Sequence, residues 1–355
     1  MNINAADFEQ PQGNHEDDQP MPRIIGAYAL ESGDAAQRRR LITSILDHGL
    51  GTGFEVPILS HDFTQEQEWF WNLMPTASSH VLTMVTRTME ELSNDPGCGL
   101  ASEDPRGRNR AISELEKVQG LVQDMNAGGG PHVGAIEIQS APQASDPATA
   151  CAHFLQSLKE LASWDWHGAS LCVEHCDALV PWHAPAKGFL SLHDEIDIVR
   201  KIRSMHVSTR VGITLNWGRS AIELRDAGAV QQHIRQCLST DTLLGLMYSG
   251  TSPVASDFGP AWSDAHCPMR RPPHDPDGES TSLLSDEAIH ASRILAGRAP
   301  AYEGIKVSMR PLESSVSSKI ATIQRCASAL DLAWEDLRDA RNQRRELEAQ
   351  TSGSN

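Results

Sequence analysis

Carboxylate and imidazole side chains come together where the run "CVEHCDALVP" leaves an apolar stretch of the sequence. Glu174 lies near the end of this predicted strand, and His175 and Asp177 follow it within four residues. A carboxylate beside an imidazole suits a divalent metal or a general acid and base. We therefore predict Glu174 and His175 as catalytic residues. The alternative for Glu174 is a buried charge that is salt-bridged across the fold.

A second polar group follows in the run "ITLNWGRSAIE". Asn216 lies at the tip of a predicted strand, and Gly218 permits a tight turn. Arg219 then lies near the start of a short helix, where free backbone N–H groups favour anions. We predict that Asn216, Trp217 and Arg219 bind substrate, with the guanidinium holding a carboxylate, a phosphate or a pair of hydroxyls. The alternatives are an ion pair between Arg219 and Glu223 one turn on, and a packing role for Trp217 over the mouth of the fold.

Three other predicted strands carry polar side chains. Glu137 and Gln139 share a face of the fourth strand, and we predict that both bind substrate. Lys306 is predicted to point inward from the eighth strand as a catalytic electrophile or Schiff-base amine, with a paired interior charge as the alternative. Glu55 lies early in the second strand, which predicts a stabilising charge near the bottom of the fold. His61 follows that strand and is predicted to bind substrate.

Two long loops add further charged side chains. Asp264 and His266, after the seventh strand, have the i, i+2 spacing of a pair that can reach a metal. Lys187, after the fifth strand, is predicted to contact an anionic or polyol substrate. Together with Glu174 and Asp177, the loop pair predicts a site for one divalent ion, Mn²⁺, Zn²⁺ or Mg²⁺. The ligand set is incomplete, so the sequence equally allows a protein without a metal.

The elements that must position these residues repeat along the chain. Eight short apolar runs each precede a helix-like stretch, at 24–30, 54–59, 80–86, 133–138, 169–174, 211–216, 243–248 and 302–309. Eight such units predict an α/β fold, a single closed (β/α)8 TIM barrel with parallel strands inside and helices outside. In that architecture the chemistry lies on the loops that follow the C-terminal ends of the strands.

The chain divides into one barrel and two tails. We place the barrel at residues 23–335. Residues 1–22 hold five acids and no base, which predicts a disordered tail. Residues 336–355 are predicted to form a charged helical extension or a disordered tail. The loop at 250–282 is long for a compact domain, which predicts that it is functional or disordered.

The 355 residues carry a formal net charge of −17. This acidity argues against nucleic acid or an anionic membrane surface as a partner. Seven scattered cysteines form no CxxC pair, and no apolar run reaches the length of a membrane span. With no secretory signal at the N-terminus, these features predict a cytoplasmic protein with reduced thiols. The sequence leaves a homo-oligomer open.

Nine short strings resemble a family described as domain of unknown function 4862. They are "GAYAL", "FEVPIL", "SAP", "VEHCDA", "PAKGFLSL", "LNWGRSAIE", "YSG", "WSDAHCP" and "GIKVSMRP". The resemblance covers about residues 24–330. This family in turn resembles the xylose-isomerase-like TIM barrels, which include sugar isomerases, sugar 3-epimerases and some endonucleases and lyases. The resemblance therefore implies a barrel of that type.

The epimerases of that superfamily hold one divalent metal with Glu, Asp, His and Glu from successive strand ends. Their two Glu residues often also act as acid and base. Carried over residue by residue, the first Glu resembles Glu174, and Asn216 stands at the Asp position. His266 is the available His, in a loop, and Lys306 stands on the strand that would supply the second Glu. These departures imply that the metal-bridged proton transfer of the superfamily does not carry over intact.

Three functions follow from this reasoning. The first is isomerisation or epimerisation of a sugar or sugar-derived acid by proton transfer next to a carbonyl, with Glu174 or His175 as base. A metal, Lys306 or Arg219 would polarise the carbonyl. The second is a lyase or hydrolase reaction on a small polar substrate at the same barrel mouth, and the third is a non-enzymatic barrel that binds a small molecule. The net charge of −17 disfavours an endonuclease, because phosphate contacts need a basic surface.

Overall fold

The computed structural model describes residues 21–59, 63–143, 146–275 and 277–352. The strands of this part of the chain are β1 (Arg23–Ile25), β2 (Gly53–Pro57), β3 (Ser79–Thr83), β4 (His132–Ile138), β5 (Ser170–His175), β6 (Val211–Asn216), β7 (Leu243–Tyr248) and β8 (Tyr302–Ile305). Each strand pairs in parallel with the next along the chain, and β8 pairs with β1 to close the barrel. The predicted closed (β/α)8 barrel is confirmed.

Helices occupy the segments between the strands and follow the last one. They are α1 (Ala35–Asp47), α2 (Phe63–Leu73), α3 (Val85–Asn94), α4 (Pro105–Ala127), α5 (Pro147–Ala162), α6 (Leu192–Ser204), α7 (Trp217–Leu224), α8 (Val230–Ser239), α9 (Asp286–Ala296) and α10 (Val316–Ser352). The loop after β7 spans the residues up to α9 and is the longest connection that the structure describes.

Three of the apolar runs extend at least three residues beyond the strands that they predicted. The first run continues to residue 30, but β1 ends at Ile25 and a short 3-10 helix follows at Ala27–Leu30. The eighth run continues to residue 309, but β8 ends at Ile305. The third run reaches residue 86, where α3 has already begun. Leu30 and Val307 are each 1% exposed, so burial at the top of the barrel keeps the sequence apolar after strand pairing has ended.

Both faces of the strands are buried, which is typical of a parallel sheet covered by helices. The lower interior of the barrel is a compact apolar cluster, made of Ile24, Val81, Ala135, Cys172, Leu244, Met247 and Tyr302. The outer faces of the strands pack against the helices in a much larger apolar core. Buried charged side chains, among them Glu137, Glu174 and Lys306, lie inside the barrel towards the C-terminal ends of the strands.

Side-chain caps determine where several helices begin. Asp34 and Asp146 each accept hydrogen bonds from backbone N–H groups in the first turns of α1 and α5, and Pro147 occupies the first turn of α5. At the tip of β6, the Asn216 side chain accepts a hydrogen bond from the Arg219 backbone N–H at 3.3 Å. Such caps satisfy backbone N–H groups that have no partner within the helix. The Asn216 cap therefore starts α7 directly at the strand end and places Arg219 in its first turn.

The last helix, α10, runs without a break across the predicted barrel boundary at residue 335. Its N-terminal half packs on the barrel through buried residues such as Ile323 and Leu330, and it lies against α1 and α9. Residues 342–348 are exposed. The division of the chain at 22 and 335 stays a prediction, and residues 1–20 lie outside the described part. No helix in the described ranges combines the length and the apolar character that crossing a membrane requires.

Candidate active site

A cavity of about 980 Å³ opens at the C-terminal face of the barrel. Its walls come from the segment after β1, from α3 and α7, and from the loops after β5 and β7. The titratable side chains that line it include Tyr28, Glu90, Lys187, Arg219, Asp264 and His266. This is the face at which barrels of this architecture carry their chemistry.

Arg219 lies between this cavity and the barrel interior. Its guanidinium is 2.5 Å from a carboxylate oxygen of Glu174 and 3.1 Å from one of Asp264. The residue lines the cavity but is only 1% exposed. The alternative ion pair with Glu223 is not formed, because the Glu223 carboxylate contacts His175 instead. Arg219 therefore forms the charged floor of the cavity.

Three buried carboxylates face one another below Arg219. One oxygen from each of Glu55, Glu137 and Glu174 lies within 4.8 Å of the other two, and we call these three residues the carboxylate cluster. The Lys306 ammonium lies 2.7 Å from Glu55 and 3.8 Å from Glu174. The Lys306 and Glu174 side chains are fully buried. The structure thus places Lys306 in the alternative role that the sequence allowed, a paired interior charge.

Opposite charges determine the protonation of the cluster. Burial acts to raise the pKa of Glu174, but the charges of Arg219 and Lys306 outweigh it and lower that pKa to about 2. Burial acts to lower the pKa of Lys306, but the charge of Glu55 and other neighbours raises it well above its usual range. Burial, and then the charges of Glu174 and Glu55, raise the pKa of Glu137 well above its usual range. A lysine held as ammonium is not a nucleophile, so the Schiff-base interpretation of Lys306 has no support here.

Glu55 lies where the sequence analysis did not expect it. The early position of Glu55 in its strand predicted a site near the bottom of the barrel, whereas its carboxylate is level with Glu174 at the end of β5. Closing a barrel tilts the strands and staggers their registers. Position within one strand therefore does not give height in the barrel, and Glu55 was missed as part of the site.

Two tyrosines that contact the carboxylate cluster were also not predicted as part of the site. Tyr28 donates a hydrogen bond to Glu55 at 3.0 Å, and Tyr302 donates one to Glu137 at 2.8 Å. Tyr302 was accessible to sequence reasoning, because strand alternation from Lys306 places residues 304 and 302 on the same face. Tyr28 follows the end of β1, where alternation no longer applies.

Two predicted polar residues do lie at the barrel mouth. Gln139 donates a hydrogen bond to Glu174 at 2.9 Å, so its amide is fixed against the carboxylate cluster. Asn216 is fully buried, and its Nδ2 has no hydrogen-bond partner in the described part of the chain. His61 lies outside the described residues, and its role stays a prediction.

Asp264 lies in contact with several basic side chains of the cavity wall. Its carboxylate is in direct contact with the Lys187 ammonium and lies 3.1 Å from Arg219 and 3.6 Å from His266. Burial acts to raise the pKa of Asp264, but the charges of Lys187 and Arg219 lower it well below its usual range. Burial lowers the pKa of His266 to about 3. At neutral pH the part of the wall around Asp264 therefore presents two cations, one carboxylate and a neutral imidazole.

The structure does not assemble the predicted metal ligands Glu174, Asp177, Asp264 and His266 into one group. Asp177 accepts hydrogen bonds from the backbone N–H groups of residues 186 and 187, at 2.6 and 3.0 Å, and so holds the loop after β5 in place. The carboxylate of Asp264 is occupied by Lys187 and Arg219. Proximity in sequence at a strand end does not make these groups converge, because the loop turns them towards different partners.

Two predicted site residues face away from the cavity. His175 lies on the outer face of β5, where its ring nitrogens are 2.7 Å from Glu195 and 3.0 Å from Glu223. Trp217 is fully buried in the core outside the barrel, and its indole N–H donates to Ser292 at 3.0 Å. The expected places of both at the mouth are therefore wrong. Consecutive residues of a strand point to opposite faces. Because Glu174 points into the barrel, the next residue, His175, must point out of it.

Among the residues that the structure describes, two groups of buried side chains contain the ligand types that a divalent metal needs. The first is the carboxylate cluster, which does not fit a metal in this arrangement. Lys306 and Arg219 already place two positive charges on its oxygens, at 2.7 and 2.5 Å, and a divalent cation would be repelled by both. The second group is His175, Glu223 and His233, which lies between the strands of the barrel wall and the helices that cover them.

Comparison with known proteins identifies relatives of the whole barrel. A family model described as "Domain of unknown function (DUF4862)" matches residues 24–322. A protein of Salmonella typhimurium strain LT2, described as uncharacterised, is 33% identical over 273 residues, which cover 76% of this chain and 81% of the relative.

Solved structures agree on the fold. An L-ribulose 3-epimerase superimposes with a TM-score of 0.58 at 13% identity, covering 91% of this chain and 98% of that one. The IolI protein with a bound zinc atom superimposes with a TM-score of 0.52 at 13% identity, covering 90% and 98% of the two chains. A protein of Rhodospirillum rubrum described as a "Putative Xylose isomerase" superimposes with a TM-score of 0.58 at 12% identity, covering 88% of this chain and 99% of that one. At these identities the likeness shows a xylose-isomerase-like TIM barrel.

Proposed function

The chain belongs to the DUF4862 family, and from its cavity we propose that it isomerises or epimerises a sugar or sugar acid by proton transfer next to a carbonyl. The observation that carries this proposal is the Arg219 floor of the cavity, which joins a cation to the buried Glu174 carboxylate at 2.5 Å. Proton transfer next to a carbonyl needs a base and a positive group for the enolate oxygen. This pair supplies both at the C-terminal face of the barrel.

The charges of the cavity favour an anionic, hydroxyl-rich substrate. Lys187 and Arg219 line it, and the carboxylate of Asp264 lies against both. A substrate carboxylate could take a place beside the guanidinium, which offers a planar fork of donors. Hydroxyls of the same substrate could then bond to Asp264 and to the neutral imidazole of His266. A sugar acid has both kinds of group.

Arg219 also controls the base. Glu174 is a weak base while Arg219 and Lys306 hold its pKa at about 2. When a substrate carboxylate or carbonyl oxygen draws Arg219 away, Glu174 loses its nearest cation, so its pKa rises and its oxygen becomes accessible. Glu174 would then take the C–H proton, and Arg219 would stabilise the charge that develops on the carbonyl oxygen. Epimerisation results when a second acid, a water molecule in the cavity, protonates the same carbon from the opposite face and Glu174 later gives up its proton to solvent. Isomerisation results when Glu174 returns the proton to the neighbouring carbon and the hydroxyl proton moves between the two oxygens.

Lys306 acts indirectly in this scheme. It contacts Glu55 and Glu174 but does not line the cavity. Its ammonium keeps the buried carboxylates together when Arg219 turns towards the substrate. The residues of the mouth do not fit a divalent cation, so the reaction proposed here uses the chain's own cations. All seven cysteines are free thiols, which supports placing this reaction in the reducing cytoplasm.

One observation favours a second candidate, a barrel that binds a sugar acid without converting it. Glu174 is fixed between two cations in a fully buried position, an arrangement that is also suited to a rigid binding site. The two candidates differ in one measurable event, exchange of a substrate hydrogen with solvent.

The test is hydrogen exchange in D₂O. Aldoses, ketoses, aldonic acids, uronic acids and keto acids are incubated with the full chain, and NMR follows deuterium incorporation next to the carbonyl. We expect exchange with at least one sugar acid, and Glu174→Gln should reduce its rate by at least about 100-fold, as loss of a general base does. His193→Ala, an exposed position on α6, is the matched control and should exchange at the wild-type rate.

Thermal-shift binding assays on the same panel separate the alternatives. Binding of a sugar acid without exchange would establish the binding barrel and overturn the enzyme. Exchange that survives Glu174→Gln would place the base elsewhere. Exchange that disappears after dialysis against a chelator and returns with Mn²⁺ or Zn²⁺ would contradict the metal-independent mechanism.

A further inference from the structure

A second polar cluster is buried in the wall of the barrel, on the side away from the cavity. It consists of His175 on β5, Glu223 on α7 and His233 on α8, whose side chains are 0%, 9% and 5% exposed. One ligand atom from each lies within 4.8 Å of the others. The mechanism proposed for the cavity uses none of them.

The spacing of these atoms matches that of ligands around one metal ion. The Nε2 atom of His175 is 3.0 Å from one Glu223 oxygen, and the Nε2 atom of His233 is 3.6 Å from the other. Atoms bound to a tetrahedral zinc at roughly 2.0–2.1 Å lie about 3.3–3.4 Å from one another. The three ligand atoms lie within 4.8 Å of one another, so side-chain rotations that draw them to this spacing would complete a coordination sphere.

The second nitrogen of each imidazole already has an oxygen partner. His175 Nδ1 is 2.7 Å from a carboxylate oxygen of Glu195, and His233 Nδ1 is 3.0 Å from the Ser220 hydroxyl. Metal-bound histidines almost always have such a partner, because it fixes the tautomer and turns the other nitrogen to the ion. Both Nε2 atoms are thus directed towards Glu223.

From this geometry we propose that His175, Glu223 and His233 bind one divalent transition metal, for which zinc is the best fit. Two imidazole nitrogens and a carboxylate oxygen are typical zinc ligands, and three protein ligands leave one position for a water molecule. This site shares no residue with the metal site that the sequence predicted at the barrel mouth.

The bound metal would connect the wall to the cavity floor. His175 directly follows Glu174 on β5, and Glu223 lies four residues after Arg219 on α7. An ion that joins β5, α7 and α8 would fix the register between the strand that carries Glu174 and the helix that carries Arg219. Its role is therefore structural, and it positions the pair that the cavity presents.

The test is zinc binding by the full chain. The protein is stripped with a chelator, dialysed and titrated with Zn²⁺ and, separately, with Co²⁺, whose visible d–d bands report four-coordinate geometry. We expect about one zinc per chain and a Co²⁺ spectrum of the four-coordinate type. Loss of a residue that hydrogen-bonds a metal ligand lowers metal affinity by roughly 10–100-fold. Ser220→Ala should lower the zinc affinity within that range, and His233→Ala, which removes a ligand itself, should lower it by more.

Two control variants make the result specific. Glu174→Gln removes a carboxylate of the barrel mouth and should leave zinc binding unchanged, as should His193→Ala on the surface. The proposal is overturned if the wild type binds no more zinc than His233→Ala, or if Glu174→Gln abolishes binding. If His233→Ala does not fold, Ser220→Ala decides, and unchanged zinc affinity in that variant counts against the site. Because the readout is binding, failure here leaves the exchange assay of the cavity unaffected.

Discussion

Replacing Lys306 by Met should remove a large part of the stability of the barrel. The substitution keeps most of the apolar stem and deletes the ammonium that lies 2.7 Å from Glu55 and 3.8 Å from Glu174. At an effective dielectric constant of about 20, these distances correspond to attractions of about 6 and about 4 kcal/mol. Desolvation of the buried charges offsets much of that gain. Removing one partner of a buried ion pair costs about 3–5 kcal/mol in practice, and we expect a loss of unfolding free energy in that range.

A double substitution tests the cause of this loss. Glu55→Gln combined with Lys306→Met removes both partners, while Glu174 keeps Arg219 at 2.5 Å. Replacing both members of a buried pair is often close to neutral, so the double variant should recover most of the stability. The coupling energy between the two positions should be at least about 2 kcal/mol, towards the upper end for residues in direct contact.

Urea denaturation followed by circular dichroism measures these free energies. Lys159→Met, at an exposed position on α5, is the matched control and should lie within about 0.5 kcal/mol of wild type. A loss below about 1 kcal/mol for Lys306→Met would refute the reasoning. So would a double variant whose loss is the sum of the two single losses, since the pair would then carry no interaction.

Further predictions concern packing, pH and backbone space. Trp217→Ala should lower the unfolding free energy measured by urea denaturation by about 3–5 kcal/mol, as for other buried aromatics. It should leave the ligand affinity of the folded protein unchanged. A loss of affinity without a loss of stability would show that Trp217 contributes to the cavity. Because neighbouring cations hold the pKa of Asp264 well below its ordinary value of 3.8, its contribution to stability is present above pH 3.8 and disappears as the pH falls towards the folded pKa. Asp264→Asn should therefore flatten the acid side of the stability curve, and an unchanged curve would contradict the assigned pairing. A Cβ on Gly53 would lie 1.7 Å from the Ser79 carbonyl oxygen, so Gly53→Ala should destabilise by more than about 1–3 kcal/mol. Gly120→Ala, which meets nothing within 4 Å in α4, should instead stabilise by about 0.5–1 kcal/mol, and thermal melts of the two variants check both signs.

The sequence by itself was enough to predict the barrel and the face that carries its polar residues. Parallel strands buried on both sides are continuous apolar runs, and eight such runs with helices between them allow few other folds. Helix starts were equally local, because an Asp before Pro147 or an Asn before Trp217 caps the first turn with its own side chain. The placement of Glu174 near the end of β5 and of Arg219 just after β6 could be predicted for the same reason, since both strands are recognisable in the sequence.

The tertiary structure alone decided which groups meet. Strand alternation turned His175 out of the barrel, and barrel stagger raised Glu55 to the level of the site. Arg219 could have paired with a neighbour on its own helix, but closing the barrel placed a buried carboxylate within 2.5 Å of its guanidinium. Lys306 became a fixed ammonium because Glu55, which is 251 positions away, faces it across the interior. Local patterns determine which elements form, whereas partners and protonation depend on distances between strands that are far apart in the chain, which no short stretch of sequence contains.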